Sequence, residues 1–336
     1  MMFDNTKPIR RGLVLALALA LLLALLGCVS GCAPFSNSAA TDNTGQNLQN
    51  NQAQDRANKQ FPASGVLKLA ANKDYAYGSG ATIRYSYAFN YAKDGKKKEP
   101  STFKSISLNL SGQVTEVPAA ALQDLYTDEG DLKPEVYLCD TDPSAPLVYL
   151  LISGEDDWAQ LTQVYAAVGG KLVKMGDPSQ LAPSYIADDG FGVATPSRVE
   201  QGQLVVESGS PHSNALGIFY YELTYQVQNS QLVLSSPKAQ ITKVRLTKGG
   251  ATKTLKAYQP LQLVATPGAS QTALTLGKGQ TAQVQAVQRQ NGLTYYQLSV
   301  GTQVGWLAEP SQDCTYQSRE SGFAKRAFFY YTSMAD

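Results

Sequence analysis

The chain is poor in the residues on which most catalytic and metal sites depend. Only one of its 336 residues is a histidine, and only 16% of them are charged. A His-Glu-x-x-His zinc site needs two histidines, and a serine triad built on His212 would also need a Gly-x-Ser-x-Gly segment, which the sequence lacks. We therefore expect a protein that is not an enzyme and that holds no cofactor.

Cysteine is also scarce, with four residues in the whole chain. This number is too small for a disulfide scaffold, and the sequence leaves open whether Cys139 pairs with Cys314. Cys139 lies at the end of the apolar run Val-Tyr-Leu-Cys, where a buried residue is expected, whereas a catalytic cysteine normally begins a helix. Catalysis by a pair of Cys139 and His212 is therefore disfavoured.

Positive and negative charges are nearly balanced, because 28 lysines and arginines face 27 aspartates and glutamates. Proteins that bind nucleic acid normally carry a clear excess of positive charge. The composition therefore argues against nucleic acid as a partner. Tyrosine, by contrast, is abundant at 19 residues, which favours strand-rich structure.

The N-terminal residues have the layout of an export signal. Lys7, Arg10 and Arg11 precede an uncharged apolar run over residues 12–26. A helix of that length reaches ~22 Å, less than the roughly 30 Å of a membrane's hydrocarbon core. The run therefore favours a cleaved signal helix over a permanent span.

Two cysteines follow this run in the segment Leu-Leu-Gly-Cys-Val-Ser-Gly-Cys, residues 25–32. A zinc site would need further ligands at matching spacing, which the sequence does not provide. The segment resembles the bacterial lipobox, which implies that either Cys28 or Cys32 receives a diacylglycerol with acyl chains such as palmitate. Residues 1–32 are then a lipoprotein signal peptide, and the lipid anchors the protein to the extracytoplasmic face of the bacterial cell membrane.

Residues 33–62 are polar and almost free of large apolar side chains, so we expect a disordered tether. Residues 63–245 are expected to form a strand-rich middle domain. Alternating apolar residues at positions 83–91 and 106–110 predict a long hairpin, with the polar segment 93–101 as its turn. A short helix is predicted at 116–126. Further apolar runs recur every 10–15 residues, which suits antiparallel sheets better than the strand-and-helix alternation of a transporter's solute-binding protein.

The segment 136–177 contains two acidic turns between apolar runs and a later Gly-Gly turn. Its acidic positions are supplied by Asp140, Asp142, Ser144 and the segment 154–157. This order resembles the propeller-blade modules of the integrin-α and VCBS type, which implies a blade-like sheet and makes Asp140, Asp142 and Asp157 weak calcium candidates. The loop lacks the third acid and the glycine of that family, so the alternative is that these acids only form turns.

Residues 246–312 carry an ordered series of landmarks. They are Leu263–Thr266, Leu276–Gly279, Val284–Val287, Asn291–Gly292, Tyr295–Leu298 and Gly305–Leu307. Asn-Gly between two alternating runs is itself a strong signal for a type I′ hairpin turn. The series resembles the bacterial SH3-like domain, which implies short strands closed into a small β-barrel.

Members of that family often bind the peptide or glycan of peptidoglycan through aromatic side chains. The resemblance implies a binding surface built from Tyr258, Tyr295, Tyr296 and Trp306, although Trp306 has the alternative role of filling the core. Because neighbouring residues in a strand point to opposite sides, we expect one of Tyr295 and Tyr296 to be exposed.

The C-terminal tail, residues 313–336, carries Phe323 and the aromatic run at positions 328–331. A free cluster of this kind is an aggregation liability, so we expect the tail to dock on the folded part of the chain.

These features predict a mainly β protein with an N-terminal signal helix, a disordered tether, an antiparallel blade-like domain and an SH3-like barrel. Its expected function is binding at the cell surface, with the membrane held through the lipid and with peptidoglycan or a surface protein as partner. The alternative is a divergent cell-wall hydrolase that uses carboxylates of the middle domain, for which Asp140 and Asp157 are examples.

Overall fold

The computed structural model of the protein describes residues 60–78, 80–94, 97–123, 125, 134–153, 159–183, 194–210, 213, 215–247, 249–309, 328–330 and 332. Of these residues 62% lie in strands and 4% in helices. All strand pairs are antiparallel, so the prediction of a mainly β, antiparallel protein is confirmed. The predicted signal peptide with Cys28 and Cys32, and the tether up to residue 59, lie outside the described residues.

The first nine strands form two sheets. Their bounds are β1 Val66–Lys68, β2 Tyr75–Tyr77, β3 Ala81–Asp94, β4 Lys97–Leu110, β5 Gln113–Glu116, β6 Glu135–Cys139, β7 Leu147–Ser153, β8 Ala159–Val168 and β9 Lys171–Gly176. One sheet has the order β2-β3-β4-β5, and the other has the order β1-β6-β7-β8-β9. The second sheet therefore contains a four-stranded meander, β6 to β9, with β1 added at its edge.

The long hairpin predicted from alternating apolar residues is confirmed as β3 and β4. The segment 93–101, however, was expected to be its turn, and this expectation is wrong: the two strands stay paired as far as Asp94 and Lys97. Once a hairpin is in register, each further residue extends the backbone ladder without needing an apolar side chain. The polar composition of the segment therefore did not end the strands.

The central strands of the five-stranded sheet, β6 and β7, are buried on both faces. In β7, Tyr149 and Leu151 pack with the strands that follow later in the chain, whereas Leu150 and Ile152 pack against the sheet of β3 and β4. Successive residues of a strand point to opposite faces, so a strand covered on both sides needs an unbroken apolar run. The sequence Leu-Val-Tyr-Leu-Leu-Ile of β7 meets this requirement.

Two single-turn helices accompany these sheets. The predicted helix at 116–126 is present as α1, Ala119–Leu122, directly after Pro118. The second helix, α2, covers Pro178–Leu181 and is capped by Asp177, whose side chain accepts a hydrogen bond from the Ser179 N–H. A carboxylate at this position satisfies a backbone donor that the helix itself cannot bond.

The remaining strands form one large sheet. Their bounds are β10 Thr195–Glu200, β11 Gln203–Ser210, β12 Phe219–Gln228, β13 Gln231–Leu234, β14 Ala239–Arg245, β15 Ala251–Thr252, β16 Thr254–Lys256, β17 Leu261–Val264, β18 Thr272–Leu276, β19 Thr281–Gln290, β20 Leu293–Val300 and β21 Gln303–Ala308. The main order is β10-β11-β12-β14-β19-β20-β21-β17-β18, with β13, β15 and β16 paired beside it. The predicted domain boundary at residue 246 thus lies within a continuous sheet.

The predicted closure of the C-terminal strands into a barrel is wrong for the described residues. One edge of β19 pairs with β16 and β14, and its other edge pairs with β20. Neither edge of β19 remains for β18, which pairs with β17 and ends the sheet. The sheet stays open because a strand of the preceding region takes an edge that closure would need.

The predicted Asn-Gly hairpin turn is confirmed between β19 and β20. Asn291 has φ +52° and Gly292 has φ +80°, so both central residues adopt the positive φ that a type I′ turn requires. Asparagine and glycine tolerate this region better than other residues, which is why the pair was readable from the sequence.

Candidate functional site

Three of the four predicted ligand-binding aromatics are buried. Tyr295, Tyr296 and Trp306 are 5%, 2% and 7% exposed. The expectation that either Tyr295 or Tyr296 is exposed is wrong, because both faces of β20 are covered at this point. Tyr296 packs edge-to-face on Phe219, with ring centroids 5.9 Å apart. Their role in binding stays a prediction, and as placed they contribute to the core.

Trp306 lies in β21, opposite Val264 of β17. The preceding residue, Gly305, allows these strands to approach closely: a Cβ there would lie 2.7 Å from Cβ of Leu263. The Trp306 side chain itself is buried, in agreement with the alternative that it fills the core.

Tyr258 is the predicted aromatic that remains partly exposed. Its ring lies 5.0 Å from the ring of Tyr330, centroid to centroid, in an edge-to-face arrangement. Such pairs stabilise one another beyond the area that they bury. The partner comes from the C-terminal tail, so the surface at Tyr258 is built by two distant parts of the chain.

The tail is held here by backbone hydrogen bonds. The Tyr258 N–H donates to the Phe328 carbonyl at 2.8 Å, and the Tyr330 N–H donates to the Lys256 carbonyl at 3.0 Å. Between these bonds Phe329 is buried beside Ala257. The prediction that the aromatic tail docks is therefore confirmed for residues 328–330, whereas Phe323 lies outside the described residues.

Two lysines flank the tyrosine pair. Nζ of Lys278 lies 5.7 Å from the ring centroid of Tyr258, and Nζ of Lys256 lies 5.7 Å from that of Tyr330. Gly279, at φ +81°, donates its N–H to the Ala257 carbonyl at 2.8 Å, which fixes the turn that carries Lys278 against the strand end that carries Lys256. Both lysines are exposed.

We call Lys256, Tyr258, Lys278 and Tyr330 the Tyr258 cluster. It offers two partly exposed aromatic rings with a cation beside each. Such a surface suits an extended ligand that presents flat or apolar faces together with negative charge. Sequence reasoning identified only Tyr258. The docked tail brings Tyr330 next to it and the turn before β19 brings Lys278, and no local sequence pattern indicates either contact.

A second polar cluster joins the loop before β12 to the end of β21. The Ser213 hydroxyl donates to Oε1 of Glu309 at 2.9 Å, and the Tyr296 hydroxyl donates to Oε2 at 3.0 Å. Ser213 Oγ also accepts hydrogen bonds from the backbone N–H groups of Ala215 and Leu216. Ser213 is buried and fully engaged, so this cluster has the character of a structural clamp. His212 lies outside the described residues.

Of the weak calcium candidates, Asp142 behaves as a turn former. Asp142 accepts hydrogen bonds from the Ser144 N–H and hydroxyl, and these bonds hold the pKa of Asp142 below its usual range. Burial, followed by the nearby charge of Asp142, raises the pKa of Asp140. Within the described ranges no group of three or more acidic, histidine or cysteine side chains is arranged to hold a metal ion. Asp157 lies outside them.

Cys139 is confirmed as a buried residue at the end of β6. It is a free thiol, and burial raises its pKa well above the usual value for cysteine. A thiol that resists ionisation is a poor nucleophile. Its possible partner Cys314 lies outside the described residues.

The chain has no match among known protein families, curated proteins or solved structures. The likeness to lipoproteins, SH3-like domains and propeller blades thus rests on the sequence motifs alone. In the part of the chain that the structure describes, no helix is both long and apolar enough to cross a membrane.

Proposed function

We propose that this protein is an exported, lipid-anchored cell-surface protein that acts by binding, with the cell wall or a surface protein as its partner. The observation that carries the binding role is the Tyr258 cluster. Its aromatic rings are held in place by their own packing, so a ligand gains contact area there at little cost in side-chain entropy. This combination suits sugars and extended peptides.

The state of the reactive side chains favours binding over the alternative of hydrolysis. The Cys139 thiol is buried and resists ionisation, and the Ser213 hydroxyl is committed to Glu309 and two backbone groups. Asp142 is occupied by its own turn. None of these three groups is poised to attack or protonate a substrate, and Asp140, whose pKa burial raises, is the described carboxylate on which the hydrolase alternative rests.

The anchoring role rests on the resemblance of residues 25–32 to a lipobox. A lipid at Cys28 or Cys32 would hold one end of the protein at the membrane, and the polar segment 33–62 would carry the folded part outward. A weak site then binds at the high effective concentration that the tether sets. One modest aromatic surface is sufficient for retention under these conditions.

The test is co-sedimentation of the full chain, solubilised in detergent, with purified peptidoglycan sacculi. We expect saturable pelleting that Tyr258→Ala and Tyr330→Ala each weaken roughly tenfold, as for central aromatic contacts in other interfaces. Tyr91→Ala is the matched control, because Tyr91 is 58% exposed on the β3–β4 hairpin and is not part of the cluster.

Three results would change the proposal. Absence of pelleting would exclude the wall and leave a surface protein as the partner. Equal loss with Tyr91→Ala would remove the Tyr258 cluster as the site. Release of soluble fragments from the sacculi would favour the hydrolase alternative, and Asp140→Asn would then be the first variant to assay.

A further inference from the structure

The charges of the chain are segregated along the sequence. Residues 223–308 contain no aspartate or glutamate, yet they hold six lysines and two arginines. Residues 60–222 hold 20 acidic and 12 basic residues. The near-zero net charge of the whole chain therefore conceals an acidic region followed by a basic one.

In the second region, basic side chains of β14 and β16 lie on the solvent side of the large sheet. In β14 and β16 the residues Ile241, Val244 and Leu255 face the core, which directs Arg245 and Lys256 outward. Lys243 is engaged, since its Nζ lies 3.0 Å from a carboxylate oxygen of Glu207. The charge available to a ligand is therefore carried by the other basic residues.

Lys253, Lys256 and Lys278 are exposed and have no acidic partner among the described residues. Two of these lysines belong to the Tyr258 cluster, and Lys253 precedes the strand that carries Lys256. A site with uncompensated positive charge attracts an anionic ligand, and the aromatic rings supply contact area beside it.

The type of basic residue distinguishes between anions. Arginine, with its planar fork, is favoured for bidentate binding of carboxylates, whereas lysine acts as a point charge on phosphate. The three residues assigned to this site are lysines on an open surface, although Arg245 at the end of β14 is exposed as well. Separate point charges of this kind fit an extended polymer with repeated phosphate groups better than a single small anion.

We infer that the Tyr258 cluster with Lys253 binds a phosphate-bearing polymer of the cell wall. This inference rests on the proposed function, which it narrows from cell-surface binding to one chemical class of ligand. The lysines neutralise successive phosphates, and Tyr258 and Tyr330 contact the units between them.

The experiment measures pelleting of the full chain with two preparations of sacculi. One is untreated, and the other has been stripped with cold hydrofluoric acid, which cleaves phosphodiester links and leaves the peptidoglycan. We expect stripping to reduce affinity at least tenfold. Raising the salt concentration from 50 to 200 mM should weaken binding to untreated sacculi roughly 20-fold if three phosphates are neutralised.

The variant Lys253→Gln/Lys256→Gln/Lys278→Gln should lower the slope of log affinity against log salt by about 2. Its matched control is Lys171→Gln/Lys174→Gln, which removes two exposed lysines from the acidic region and should leave the slope unchanged. Thermal melts of both variants check that the fold is intact. Substitution of exposed lysines should leave the melting temperature unchanged.

Two further probes separate this inference from the proposed function. One is inorganic polyphosphate on beads, and the other is duplex DNA of matched charge. Salt-dependent polyphosphate binding without pelleting on sacculi would support the phosphate chemistry and reject the wall as partner. Binding to DNA as tight as to untreated sacculi would overturn the wall polymer as the source of phosphate. Pelleting that survives both stripping and high salt would overturn this inference and leave the proposed function in place.

Discussion

Residues 60–222 and 223–308 differ in charge although they share one sheet. The strands β10 and β11 belong to the acidic region, and β14 to β21 belong to the region without acids. The joint between them is β12, where Glu222 is the last acid before Glu309. A chain that is neutral as a whole can therefore present a basic surface, and an exclusion of polyanions that rests on net charge alone is unsafe.

The two regions also differ in how their sheets are covered. The central strands β6 and β7 of the acidic region are buried on both faces, whereas β14 and β16 in the basic region bury one face and direct lysine and arginine to solvent. A sheet covered on both sides has no face left for a partner. The comparison therefore assigns stability to the first region and binding to the second.

The largest expected effect comes from the doubly covered sheet. Leu150 is fully buried in the middle of β7, so Leu150→Ala should lower the free energy of unfolding by about 3 kcal/mol through lost burial and the cavity that remains. Chemical denaturation followed by tyrosine fluorescence measures this change.

The same substitution in the basic region is the control. Leu293 follows the Asn-Gly turn and is 41% exposed, and Leu293→Ala should change the free energy of unfolding by less than about 0.5 kcal/mol. Equal effects at the two positions would remove the contrast in burial on which the comparison depends.

High pH should destabilise the acidic region through its buried tyrosines. Burial raises the pKa of Tyr77 to about 12, although a hydrogen bond from the Ala167 N–H lowers it in part. An unfolded tyrosine titrates near pH 10, so between pH ~10 and ~12 the unfolded chain loses a proton that the folded chain retains. The stabilisation of the folded state by protonated Tyr77 is therefore fully present below pH ~10 and is lost as the pH rises through ~12.

This loss should be on the order of 2 kcal/mol for Tyr77. Tyr77→Phe should make the free energy of unfolding less dependent on pH over that window, as measured by denaturant titrations at several pH values. Val114→Ala, at an exposed position of the same region and without a titrating group, should leave the pH dependence unchanged. An unchanged slope in Tyr77→Phe would contradict the assignment to this side chain.

Much of the fold was predictable because its signals are local. The Asn291–Gly292 turn, the apolar run of β7 and the alternation of the β3–β4 hairpin each depend on neighbouring residues. The open sheet was not predictable, since closure depends on whether β14, from the preceding region, takes an edge of β19.

The candidate site was predicted only in part for the same reason. Tyr258 was identified, but its contact with Tyr330 depends on a docked tail, and the burial of Tyr295 depends on the cover of both faces of β20. One further signal was present in the sequence: the absence of acids over residues 223–308. Averaging the charge over the whole chain concealed it.

The smallest expected effect tests whether the two regions act as one unit. Ser213→Ala removes the hydroxyl that links the loop before β12 to Glu309 at the end of β21, and it should cost about 1 kcal/mol of unfolding free energy. If the clamp couples the regions, a single unfolding transition in the parent should broaden or split in the variant, as followed by calorimetry. Thr254→Ala, at an exposed position of β16, is the control for a lost hydroxyl. A sharp transition that is only shifted in Ser213→Ala would mean that the shared strand β12 and the pairing of β14 with β19 already couple the acidic and basic regions without the clamp.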